Sequence, residues 1–274
     1  MNEILSKFIP NYKIENIEQD PKLSKRLIMS LIEEKISISS SPFLCSILEY
    51  FLKNYTNEEK KYKIILIGER ESLNYYSTIG RKFGVNLLKK DNNFIFVDIN
   101  GSFSKLLSTQ LPLEEEYPET FSIVRKKEEE FIECNHKLID FNNMEAFYND
   151  VYQKIKNLIN ETKAKDKDYN FIVIFDVINN DGMKSFNEFL KFCFANEIGL
   201  ILSINKEINN KDIVEYIEYL SDIKIRMKNN ESGFSKDLTG IMDILIRMDE
   251  KEKLESFRYN LQTNNIKIFN HIEI

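Results

Sequence analysis

The sequence has few of the residues on which most enzyme chemistry rests. It holds two histidines in 274 residues, His136 and His271, far apart along the chain. Mechanisms that use an imidazole base therefore lose their usual proton acceptor. It holds three cysteines, Cys45, Cys134 and Cys193. The odd number and irregular spacing argue against a disulfide framework and for a reducing compartment. Cys134 and His136 form one short pair, not a four-ligand zinc spacing, so no metal is expected. No run reaches about 18 uninterrupted apolar residues, and Met1 to Pro10 carries no apolar signal core. Neither a membrane span nor a secretory leader is expected. A basic excess is missing too: 38 basic residues face 44 acidic ones, a formal net charge of −6. A chain that binds nucleic acid alone usually shows a basic face, because phosphate neutralisation supplies most of the affinity.

What is present is a strand–helix rhythm. Leu27-Ile28-Met29-Ser30-Leu31-Ile32 is nearly continuous in apolar residues, as expected of a strand buried on both faces. A polar loop follows. Ser41 then reads as an N-cap and Pro42 as the first helical residue, with Phe43, Leu44, Ile47, Leu48, Phe51 and Leu52 at helical spacing. The unit repeats. Strands are expected at Ile64–Ile67, Phe94–Val97, Phe171–Phe175 and Leu200–Leu202. Helices are expected around Tyr75–Phe83, Met144–Ile159, Phe186–Cys193 and Ile213–Leu220. Beyond about residue 221 the pattern changes. Ile223, Ile225 and Met227 alternate with Lys224, Arg226 and Lys228, and strand-like runs follow at 241–248, 256–261 and 266–269. That ending predicts an antiparallel region with one wetter face. Cys45 and Cys193 fall on apolar helix faces and read as core.

The expected fold is therefore α/β: a mostly parallel central sheet with helices on both faces and an antiparallel C-terminal extension, the layout of RecA-like folds. We read residues 1–274 as a single domain. Residues 1–25 are a peripheral lead-in, and 101–143 are a charged insertion carrying Glu114-Glu115-Glu116 and Arg125-Lys126-Lys127-Glu128-Glu129-Glu130.

The first loop of such a fold is where a phosphate cradle would lie. That motif needs glycines so that successive backbone N–H groups can face phosphates, a lysine for charge, and a hydroxyl for magnesium. Here the loop reads Glu33-Glu34-Lys35-Ile36-Ser37-Ile38-Ser39-Ser40-Ser41. It has no glycine, and it carries two carboxylates where phosphates would arrive. Asp176 closes the fourth strand, where RecA-like ATPases keep a magnesium-binding Asp, but Asp at a strand end commonly caps a turn. We expect no catalytic residue, no cofactor and no bound metal.

Three blocks resemble the family of Elongator complex protein 6. Ser41-Pro42-Phe43-Leu44-Cys45-Ser46-Ile47-Leu48-Glu49-Tyr50-Phe51-Leu52 resembles its first helix, which also follows a loop without a phosphate motif. Leu73-Asn74-Tyr75-Tyr76-Ser77-Thr78-Ile79-Gly80-Arg81-Lys82-Phe83-Gly84-Val85-Asn86-Leu87 looks like its Tyr-Ser-x-x-Gly-x-Lys-x-Gly-Val block. Gly233-Phe234-Ser235-Lys236-Asp237-Leu238-Thr239-Gly240 resembles its Gly-Phe-x-x-Asp-x-x-Gly region. The blocks come in family order and the likeness spans roughly residues 27–272. The lead-in and the charged insertion depart from it.

The resemblance implies a non-catalytic subunit of a complex that modifies wobble uridines of tRNA at carbon 5. Its partners would be Elongator subunits four and five, in a RecA-like heterohexameric ring, together with the catalytic subcomplex. tRNA would bind through the assembled ring, in the cytoplasm or nucleus. Arg81, Lys82, Arg226, Lys228 and Lys236, basic residues in or beside these blocks, are the candidate tRNA contacts. Two other readings stay open: an atypical RecA-like ATPase or kinase using Asp176 and Lys35, and a RecA-like DNA recombination mediator, which the net charge disfavours.

Overall fold

A computed structural model of the chain describes residues 28–35, 37–54, 62–82, 84, 86–87, 93–99, 131–132, 144–230, 238–248, 251–262 and 266–270. The lead-in lies outside these residues, as does all of the charged insertion but Phe131–Ile132. Cys134, His136, Lys236 and His271 lie outside them too.

The strands are β1 (Ile28–Glu33), β2 (Tyr62–Gly68), β3 (Phe94–Asp98), β4 (Phe131–Ile132), β5 (Asn170–Phe175), β6 (Gly199–Asn205), β7 (Ile223–Asn229), β8 (Gly240–Met248), β9 (Lys251–Leu261) and β10 (Ile266–Asn270). The helices are α1 (Ser41–Asn54), α2 (Leu73–Lys82), α3 (Met144–Lys165), α4 (Met183–Ala195) and α5 (Lys211–Leu220). All strands join one sheet in the order β10-β9-β8-β7-β1-β6-β5-β2-β3-β4. From β7 to β4 the neighbours run parallel. From β7 to β10 they run antiparallel. The α/β, RecA-like expectation holds, including the antiparallel extension.

Alternation along the central strands sends side chains to two cores. In β1, Met29 and Leu31 join Phe43, Leu44, Ile47, Leu48 and Phe51 of α1 on one face. Ile28 and Ile32 join the other, against α3, α4 and α5. On the first face α1 reaches over the antiparallel extension, and the Phe43 ring meets Tyr259 of β9 edge to face at 5.1 Å. On the second, Tyr152 of α3 stacks on Phe189 of α4 at 4.9 Å. Cys45 and Cys193 are buried in these cores, and Gly80 is buried within α2.

Two boundaries differ from the sequence reading. β1 runs through Glu33, whose partners in register are Asn205 and Met227. Glu33 is therefore the last strand residue, not the first loop residue. Ser41 is the first residue of α1, and the carbonyl accepting the Leu44 N–H at 2.9 Å belongs to Ser40. The cap thus sits one residue earlier than the Ser-Pro pair suggested.

Candidate functional site

In an open parallel sheet, ligands bind at the carboxyl ends of the strands. Here that edge is built from the last residues of β1, β2, β5 and β6 and the loops that follow them. β6 lies between β1 and β5, which sets Glu33, Asn205 and Asp176 side by side along it.

Glu33 is 2% exposed. Its Oε1 accepts the Ser40 N–H at 2.7 Å and the Arg70 guanidinium at 2.6 Å. Its Oε2 accepts the Asn205 carboxamide at 3.0 Å. The cap of α1, the loop after β2 and the end of β6 thus converge on one carboxylate. A charge taken out of water at this depth persists only with such pairing. Around it, the Ser40 and Ser203 hydroxyls share a 2.7 Å hydrogen bond. The second carboxylate of the loop, Glu34, turns outward to Lys206 at 2.9 Å. Lys35 is exposed, and its carbonyl accepts from Asn205 at 3.2 Å.

Asp176 is completely buried. Its Oδ1 accepts the N–H groups of Glu69 and Arg70 at 2.9 and 3.1 Å. Its Oδ2 accepts those of Arg70 and Glu71 at 3.1 and 2.9 Å, and the Tyr76 hydroxyl at 3.1 Å. The residue caps a turn, but the turn belongs to β2 rather than to its own strand. Burial raises its pKa, against the pull of the three N–H groups and Arg70. A magnesium–nucleotide group does not fit these residues. The carboxylate that would hold the metal is engaged at both oxygens, and the Ser40 N–H of the first loop and the Arg70 guanidinium of the loop after β2 are both turned to Glu33.

A second, half-buried carboxyl lies beside the first. The Tyr148 hydroxyl and the Asn179 carboxamide both donate to Oε1 of Glu69. Burial pushes the Glu69 carboxyl up to about 7; Asp176 and Asp181 push the same way, and the two hydrogen bonds oppose them. Gly182 makes this corner possible. Its φ is +69°, and a Cβ there would run into the Tyr148 ring.

The candidate tRNA contacts do not form one patch. Arg81 and Lys82 are exposed at the end of α2, which returns the chain from the carboxyl end of β2 to the start of β3. The Arg81 guanidinium turns back onto Ser77 of its own helix at 3.3 Å. Arg226 and Lys228 lie near the opposite edge of the sheet, level with and just beyond the end of β1. Arg226 pairs with Glu218 at 2.8 Å, and Lys228 with Asp243 at 2.6 Å. Lys236 lies outside the described residues.

Sequence reading overlooked Arg70, Asn205, Glu69 and Tyr148. One signal was available: Glu33 and Asn205 each end an apolar strand, where a polar side chain faces the functional edge. Among the described residues, no group of three or more His, Cys, Asp or Glu could hold a metal ion. No helix among them is long and apolar enough to cross a membrane.

No family model matches the chain. It is 24% identical over 289 residues to the structural maintenance of chromosomes protein 3 homolog of Plasmodium falciparum, covering 97% of this chain and 22% of that protein. It is 25% identical over 260 residues to protein Ycf2 of Physcomitrium patens, covering 82% of this chain and 10% of that protein. The chain therefore spans about a fifth and a tenth of the length of these curated relatives. Among solved structures, it is similar to an uncharacterized protein of Pyrococcus horikoshii crystallised with an unknown peptide. That match has a TM-score of 0.55 at 14% identity and covers 95% of this chain and 98% of the other. A KaiC-like protein of the same archaeon matches with a TM-score of 0.47 at 12% identity, covering 88% and 89%. The fold is RecA-like.

Proposed function

We propose that the chain is a non-catalytic subunit of the Elongator complex. It builds a RecA-like heterohexameric ring with subunits four and five, which supports tRNA binding for modification of wobble uridines at carbon 5. The three sequence blocks support the family assignment. The non-catalytic role rests on one observation: in the corner where a RecA-like ATPase receives phosphate, the donors are already engaged by Glu33. A subunit of this kind contributes surfaces, and tRNA binding belongs to the ring rather than to the isolated chain. Fold alone would not carry such a role, and the roles of the two long curated relatives stay with those proteins.

The experiment is affinity purification of the tagged chain from its own cells, with co-purifying proteins identified by mass spectrometry. The other Elongator subunits are expected in stoichiometric amounts. Their absence, together with saturable ATP binding by the isolated chain that Asp176→Ala abolishes, would replace this reading with the ATPase one.

A further inference from the structure

We propose that Glu33 is an internal anion: its carboxylate permanently fills an oxyanion receptor at the carboxyl edge of the sheet. The receptor consists of the Ser40 N–H at the cap of α1, the Arg70 guanidinium from the loop after β2, and the Asn205 carboxamide at the end of β6. These groups stand 37 and 172 residues from Glu33 for Arg70 and Asn205, and 7 for Ser40. Three separate elements aim their donors at a single point. A simple buried ion pair needs one counter-charge; here a cation, a peptide N–H and an amide surround both carboxylate oxygens. That is the donor set a small tetrahedral oxyanion would demand.

The carboxylate is sealed at 2% exposure, while the arginine side chain keeps 23% of its surface in solvent. The receptor therefore has a wet side at Arg70 and a dry side under Glu33. Glu33 reaches it because β1 extends one residue further than its apolar run. The ligand class is a phosphate-like oxyanion, and the resident ligand is the chain itself. The carboxyl edge thus keeps an anion-bound arrangement without nucleotide, and cannot couple its shape to nucleotide binding or loss. This does not rest on the Elongator assignment, since the same geometry would close the site in any assembly.

The test removes the internal anion and offers an external one. The proteins are the full chain, Glu33→Ala, Glu33→Gln and the double variant Glu33→Ala with Arg70→Met. Each is melted in rising inorganic phosphate against sodium chloride at matched ionic strength. Glu33→Ala, with donors unsatisfied and space opened, is expected to melt lower than the parent and to regain several degrees, saturably, with phosphate. The parent and Glu33→Gln, whose side chain still fills the space, should respond no more to phosphate than to chloride. The double variant should lose the response. A folded Glu33→Ala that distinguishes phosphate no better than chloride overturns the proposal, as does a parent protein that responds as strongly as the variant. Should Glu33→Ala fail to fold in chloride, the yield on refolding becomes the readout. Greater recovery in phosphate supports the internal anion, and equal recovery in the two salts overturns it.

Discussion

The Tyr76 hydroxyl donates to the Asp176 carboxylate at 3.1 Å, with both side chains fully buried. The bond ties α2 to the end of β5 and completes a ring of donors that also includes three consecutive peptide N–H groups. In the position where an ATPase of this fold places a metal ligand, the chain has a structural cap.

Asp176→Asn is therefore a stability variant. The amide offers one acceptor and turns its own N–H toward donors. A loss on the order of 3 kcal/mol is expected from stranding buried donors around it. Denaturant melts would register it as a lower midpoint at unchanged slope. ATP titration of the parent and variant should give the same flat response.

Glu69 predicts an unusual pH dependence. Its folded pKa is raised to about 7, above the ordinary value of about 4.3 that it regains on unfolding. The folded state binds the proton more tightly, so its contribution to stability is full below about pH 4 and falls as pH rises toward 7. Glu69→Gln keeps an acceptor for both Tyr148 and Asn179 but cannot ionise. Its stability relative to the parent should rise between pH 5 and pH 8, a span set by the about-7 value. A difference that stays constant over that span would refute the raised pKa of Glu69.

Gly182→Ala meets two obstacles at once, a φ of +69° and the Tyr148 ring. Backbone strain at such a position costs about 1 kcal/mol or more, and the collision adds to it. A drop of about 2 kcal/mol in unfolding free energy is expected. Restoring space with Tyr148→Phe should not rescue it, because the ring carbons rather than the hydroxyl make the contact.

Lys82 is exposed at the C-terminus of α2. Lys82→Glu should change stability by no more than about 0.5 kcal/mol. On the proposed function it weakens tRNA binding by the assembled ring and lowers the salt slope by about one. Arg226→Glu differs, because it sets like charge against Glu218, its partner at 2.8 Å. It should lower stability as well as affinity, and a comparison of the two separates tRNA contact from framework.

Much of the fold was legible because both-face burial leaves a plain trace. The runs that became β2, β3, β5 and β6 are apolar from end to end, and the helices between them repeat near every third or fourth residue. The change of pattern in the C-terminal region also announced itself, since Lys224, Arg226 and Lys228 alternate with buried Ile223, Ile225 and Met227, but Lys224 is itself buried and only Arg226 and Lys228 face solvent. The site was less legible. The glycine-free loop was read as lacking a phosphate cradle, and its two carboxylates as simple repulsion. Glu34 does face outward, whereas Glu33 faces in. The difference is one residue of strand length, since period-two alternation turns a whole side chain on that step.

By itself, then, the sequence determined the α/β class, the two-sided core and a first loop without glycine. These follow from local pattern: apolar runs, helical spacing and residue types that a tight phosphate turn requires. Only the tertiary structure decided which groups meet at the carboxyl edge. Asp176 finds its donors 100 to 107 residues away, and Glu33 finds Asn205 across 172. Those meetings depend on the strand order, with β6 between β1 and β5 and β2 next beyond. Strand order is set by how crossover helices pack on the two faces of the sheet, and no local stretch of sequence carries it.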